Sequence, residues 1–133
     1  MSIQDRDIAE GFTSVASYAP VPLYAGDQDV LTDSEFVAPN QSLAKYTVVA
    51  RNASRQLVPV APAASDGTQI PVGVISQPIV TGVAASKIGY FKGGFFNFAA
   101  LTWPNTVTTV AQAQALFEKA PSGVVINIGL VRL

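Results

Sequence analysis

Lys87-Ile88-Gly89-Tyr90-Phe91-Lys92-Gly93-Gly94-Phe95-Phe96-Asn97-Phe98 decides the fold class. Aromatic and β-branched side chains fit a pleated, half-buried surface, so the runs on either side of the glycine pair read as strand. A two-residue hairpin loop needs positive φ, which glycine adopts without steric cost. Gly93-Gly94 is therefore the expected turn of a hairpin.

Outward from this stretch the β pattern continues. Ile70-Pro71-Val72-Gly73-Val74-Ile75 reads as a short buried strand, and Ile79-Val80-Thr81-Gly82-Val83 as another. Tyr46 to Ala50 and Gln56 to Val60 flank Arg51-Asn52-Ala53-Ser54-Arg55, a hairpin with a five-residue loop. Pro59 cannot donate to a ladder, so the second arm of that hairpin lies at an edge or ends there. Pro62 to Gly67 is a loop with an Asp-Gly turn signal. Downstream, Thr108 or Thr109 can cap one helix over Val110 to Lys119, with Val110, Ala113, Leu116 and Phe117 near one face. Pro121 and Gly123 stop it, and Val124-Val125-Ile126-Asn127-Ile128 follows as a last strand.

Residues 1–29 differ. Their apolar residues keep no period, and Pro20 and Pro22 favour an extended chain. The expectation is a β-rich α+β fold. One small domain over residues 30–133 is built of short strands and hairpins as a partly open barrel with one short helix. An extended, flexible N-terminal arm over residues 1–29 precedes it.

Composition narrows the function. The chain has 133 residues, 49% hydrophobic and only 13% charged, against roughly 25% charged in average soluble domains. So few charges leave apolar surface to be covered by a partner, which points to an oligomer or a larger assembly. The net charge of −1 with eight scattered Lys and Arg gives no basic patch for phosphate neutralisation. Cysteine and histidine are absent, which removes thiolate chemistry, the commonest general base and the commonest metal ligand. Asp27, Asp29, Asp33 and Glu35 resemble a calcium loop only superficially: Leu31 and Thr32 occupy the fifth and sixth loop positions, where oxygen and glycine are required. They read instead as a solvated junction between arm and core. No Ser-x-x-Lys, Gly-x-Ser-x-Gly or glycine-rich phosphate loop is present. The expectation is a non-enzyme with no cofactor. The start lacks a signal peptide, and no apolar run is long enough to span a membrane; synthesis in a cytoplasm is expected. The interleaved aromatics and lysines of residues 87–98 leave one alternative, a small module binding a glycan or a single-stranded nucleic acid.

Read in order, Val72-Gly73-Val74-Ile75, Tyr90-Phe91-Lys92-Gly93-Gly94-Phe95, Leu101-Thr102-Trp103-Pro104 and Val125-Ile126-Asn127-Ile128 resemble the head decoration proteins of lambda-like phages. The resemblance covers about residues 43 to 128. It implies a homotrimer that binds the major capsid protein on the outer surface of the expanded head and reinforces it against packaged DNA. The protein would then be a virion component, without direct contact to nucleic acid or membrane. A fibre or tail component would share the structural class. On this reading Ile3, Ile8, Phe12, Val15, Tyr18, Val21, Leu23 and Tyr24 are the apolar anchors of a capsid-binding arm. Tyr90, Phe95, Trp103 and Pro104 are core or trimer-interface residues, with Trp103 and Pro104 fixing a corner of the core.

Overall fold

The structure, a computed structural model, describes residues 22–130. Its strands are β1 (Leu31–Val37), β2 (Ser42–Leu43), β3 (Val48–Arg51), β4 (Leu57–Pro59), β5 (Pro71–Ile75), β6 (Ile79–Val80), β7 (Ser86–Asn97) and β8 (Val125–Gly129). One α-helix, α1 (Val110–Phe117), and a 3-10 turn at Phe98–Ala100 complete the described residues.

β1, β4, β3, β5 and β7 join in that order, and β1 also pairs with β7, so the five strands close a barrel. β8 adds to β7 as a sixth, parallel strand. The β-rich class, the single short helix and the barrel agree with the sequence. The barrel is complete, although β1 meets β4 through one residue pair, Val37 with Leu57. The hairpin of β3 and β4 forms where expected, and β4 ends at Pro59. β6 is shorter than its sequence suggests and pairs with β2 in a separate two-stranded sheet.

The expected hairpin at Gly93-Gly94 does not exist. β7 runs unbroken through both glycines for twelve residues. Gly93 pairs with Leu31 on one side and Val125 on the other. A Cβ there would lie 2.8 Å from Val125 Cγ2 and 2.9 Å from Leu31 Cγ, so the glycine admits two neighbouring side chains instead of turning the chain. Gly94 does have positive φ, at 148°, but the Phe96 ring lies against it and the strand continues.

Two bulges explain why period-two alternation fails here. β1 partners jump from Phe91 to Gly93, which leaves Lys92 as an extra residue in β7. An inserted residue exchanges the two faces of a strand. Phe91 and Phe96, five apart, consequently pack into the same cluster. In β5 the partners of Val49 and Ala50 are Gly73 and Pro71, and Val72 is the extra residue.

The sheet is buried on both faces. Val37, Leu43, Val49, Leu57, Val72, Ile75 and Tyr90 fill the barrel. On the opposite face, Val48, Ala50, Val74, Phe96, Ile126 and Ile128 meet Ala113, Leu116 and Phe117 of α1. That is why β5 is buried at all five positions. The helix is fixed at its start by Thr109, whose hydroxyl accepts from the Gln112 N–H while the Gln112 side chain accepts from the Thr109 N–H.

Candidate functional site

β7 organises the part of the molecule from which the N-terminal segment emerges. Its C-terminal half carries β8 on one side and residues 23–25 on the other. The Asn97 N–H donates to Leu23 O at 2.6 Å, and the Ala25 N–H donates to Phe95 O at 2.8 Å. Asn97 is 2% exposed; its amide donates to Pro22 O at 2.8 Å, and its Oδ1 accepts from the Ala99 N–H. One buried amide therefore ties the root of the N-terminal segment to the start of the 3-10 turn. Sequence reasoning missed Asn97, although a lone amide in Phe-Phe-Asn-Phe is the kind of buried polar group that must have partners.

The described part of the expected arm, Pro22 to Asp29, lies along this end of β7. Leu23 packs on the helix-side cluster, and the Tyr24 ring sits 5.6 Å from that of Phe96 while remaining 42% exposed. Gln28 crosses over to β8, donating to Val125 O and accepting from the Asn127 amide. Ile3, Ile8, Phe12, Val15, Tyr18 and Val21 lie outside the described residues. Because β8 is parallel to β7 and Gly129 pairs with Asn97, Pro22 and Gly129 flank the same end of β7.

Tyr90 is 3% exposed inside the barrel, and its hydroxyl accepts from the Arg51 guanidinium at 3.1 Å. Phe95 lies on the face turned away from α1, its ring against Gly26 and Gly129. Trp103 is partly buried beside the helix-side cluster. Its ring stacks on Phe98 at 5.4 Å and meets Phe117 edge-on at 6.1 Å, and its indole N–H donates to Phe98 O at 3.0 Å. Pro104 follows at the rim of a cleft of about 270 Å³ that Trp103 and Val60 also line. Trp103→Ala is expected to cost about 2–4 kcal/mol, through lost aromatic packing and the loss of one of the two hydrogen bonds to Phe98 O, the Leu101 N–H at 3.3 Å remaining. Urea unfolding followed by circular dichroism checks this, since the variant has no tryptophan to report.

Two of the five rings of residues 87–98 are buried and a third packs against one of them. Tyr90 and Phe96 are buried, and Phe91 packs 5.5 Å from Phe96. Among the described residues no three His, Cys, Asp or Glu side chains gather as a metal site. No described helix is long and apolar enough to cross a membrane. The acidic residues divide: Asp33 and Glu35 belong to β1 and form ion pairs with Lys92 at 3.4 Å and Arg51 at 3.5 Å.

Residues 17–124 match the family described as bacteriophage lambda head decoration protein D. The chain belongs to that family. No curated protein matches it. The motif resemblance spans about 43 to 128, whereas the family match begins at residue 17 and stops at Val124. The N-terminal root of this head decoration protein is thus inside the matched region, and β8 is beyond it. As a phage head decoration protein it associates with the capsid and is a component of the virion. Membership of a structural family agrees with the reading of a non-enzyme.

Proposed function

We propose that this decoration protein binds the outer surface of the expanded phage head as a homotrimer and stabilises the shell against the pressure of packaged DNA. The observation that carries the proposal is the anchored root at Pro22 to Ala25, which three hydrogen bonds tie to β7. Residues 1–21 act as an arm that adds a strand to an exposed edge of the major capsid protein, where main-chain hydrogen bonds supply affinity. Ordering one arm costs conformational entropy, so a single arm binds weakly. Three arms on one trimer make the later contacts intramolecular and raise avidity steeply. The low charge content supports an assembly role, because surface that carries few charges is covered by partners.

Co-sedimentation with expanded, undecorated shells tests this. Full-length protein is expected to bind saturably in multiples of three copies per site. Deletion of residues 1–21, which leaves the root at Leu23 intact, is expected to weaken binding at least tenfold while the domain stays folded. Unchanged binding by the truncated protein would remove the arm from the mechanism. No binding by the folded full-length protein would remove the decoration role proposed here.

A further inference from the structure

β1 is the least covered strand of the barrel: Leu31, Thr32, Asp33 and Ser34 are all exposed. One edge of it pairs with β7 along its whole length. The other edge meets β4 only at Val37. Backbone groups alternate between the two edges of a strand, so N–H groups two residues apart point the same way. The Ala38 N–H points to the β4 side, where it donates to Leu57 O at 3.0 Å. The N–H groups of Phe36 and Ser34, two and four residues earlier, face the same side, and there no strand among the described residues pairs with them.

The chain's own carboxylates occupy these two donors. Asp33 Oδ1 accepts from the Ser34 N–H at 2.8 Å, and Glu35 Oε1 accepts from the Phe36 N–H at 3.2 Å. The second oxygen of each is held by a cation: Asp33 Oδ2 lies 3.4 Å from Lys92 Nζ, and Glu35 Oε2 lies 3.5 Å from the Arg51 guanidinium. Lys92 is the extra residue of the β7 bulge, and Arg51 reaches across the seam from β3. The Ser34 N–H and then the Lys92 ammonium hold the Asp33 carboxyl below its usual range, as expected of a carboxylate used as a cap.

An open edge carrying Leu31 at 41% and Phe36 at 46% exposure is a template for another strand. The strand that fits it is its own copy. Antiparallel pairing centred on Ser34 would set Thr32 against Phe36 on either side of the centre, covering the exposed Phe36, and would stop short of Val37, whose outer edge is held by Leu57 of β4. The same register places Asp33 opposite Glu35, a like-charge contact.

We propose that Asp33 and Glu35 guard the outer edge of β1, and that without them β1 pairs edge to edge with β1 of a second copy of the chain. The device keeps decoration proteins separate at high concentration before they reach a shell.

Sedimentation velocity of the full-length protein over a concentration series tests the proposal. The D33A/E35A variant is expected to form species larger than the wild type at concentrations at least tenfold lower. Adding Ser34→Pro, which deletes an edge donor that β7 does not use, is expected to restore the wild-type profile. The D27A/D29A variant loses the same charge without uncapping the edge and is expected to sediment as wild type. Circular dichroism confirms folding in each case, and the single variants D33A and E35A serve if the double variant does not fold. Folded D33A/E35A that stays as dispersed as wild type would overturn the proposal. So would association that Ser34→Pro does not reverse, or equal association by D27A/D29A.

Discussion

Replacing Phe96 with alanine is expected to lower the unfolding free energy by about 3–5 kcal/mol, the range for large-to-small changes at buried aromatic sites. Phe96 has no solvent exposure and is the largest of the fully buried side chains. Its ring lies 5.6 Å from Tyr24 and 5.5 Å from Phe91, and it covers Gly94, where a Cβ would stand 2.9 Å from its Cζ. Truncation leaves a void bounded by the root of the N-terminal segment, β7 and the helix-side cluster. Close-packed surroundings relax only partly into such a void. For a domain of this size, about 4 kcal/mol corresponds to a fall in Tm on the order of 15 °C. Phe96→Leu is expected to retain most of the difference, because it keeps apolar volume over Gly94. Thermal and urea unfolding of the two variants beside the wild type provide the check. A loss below about 1 kcal/mol in Phe96→Ala would mean that the helix-side cluster does not hold the domain together.

The same residue shows where the sequence is readable and where it is not. The aromatic run of residues 87–98 announces a strand, and strand it is. Its face assignment was illegible, because alternation predicts opposite faces for Phe91 and Phe96 and the bulge at Lys92 reverses the second half. A bulge depends on the partner strand and leaves little local signal. The glycines misled for a related reason. A turn and a close approach both call for a missing Cβ, and only the neighbours, here Leu31 and Val125, distinguish them. The helix was legible to within its final turn, because Thr109 and Gln112 encode the capping box locally. Of the residues that resemble the family, Val72 to Ile75 and Tyr90 to Phe95 lie on β5 and β7, which pair in the barrel wall. Asn97 and the carboxylate caps on β1 escaped notice because each depends on a backbone group whose direction the fold decides. An Asp or Glu on an exposed strand reads as solubility until the adjacent N–H is known to lack a strand.

Gly73→Ala is expected to be nearly as damaging as Phe96→Ala, although it adds a single methyl group. A Cβ at Gly73 would stand 2.5 Å from the Phe91 carbonyl oxygen and 2.5 Å from Cδ2 of Tyr90. The Tyr90 ring cannot swing away freely, because it fills the barrel and its hydroxyl accepts from Arg51. The Phe91 carbonyl belongs to backbone that pairs with β1 at Thr32 and with β5 at Val74. Relief therefore requires moving β5 away from β7, which strains two sides of a five-stranded ring at once. Overpacking a tight core costs about 1–3 kcal/mol when side chains can adjust. Here backbone must give way, and a loss of about 3 kcal/mol is expected. Gly67→Ala is the matched control. Its positive φ of 104° carries a local backbone cost, but nothing lies within 4 Å of the added Cβ. It is expected to lose about 1 kcal/mol. Equal losses in the two variants would mean that backbone conformation, and not the contact of β5 with β7, sets the requirement for glycine. A larger loss at Gly73, with Tyr90→Leu partly restoring stability in the Gly73→Ala background, would locate the cost in the ring that the methyl group strikes. That result would also explain why a Val-Gly-Val core strand has its glycine at this position: the barrel closes around Tyr90 only if the strand beside it has no side chain there.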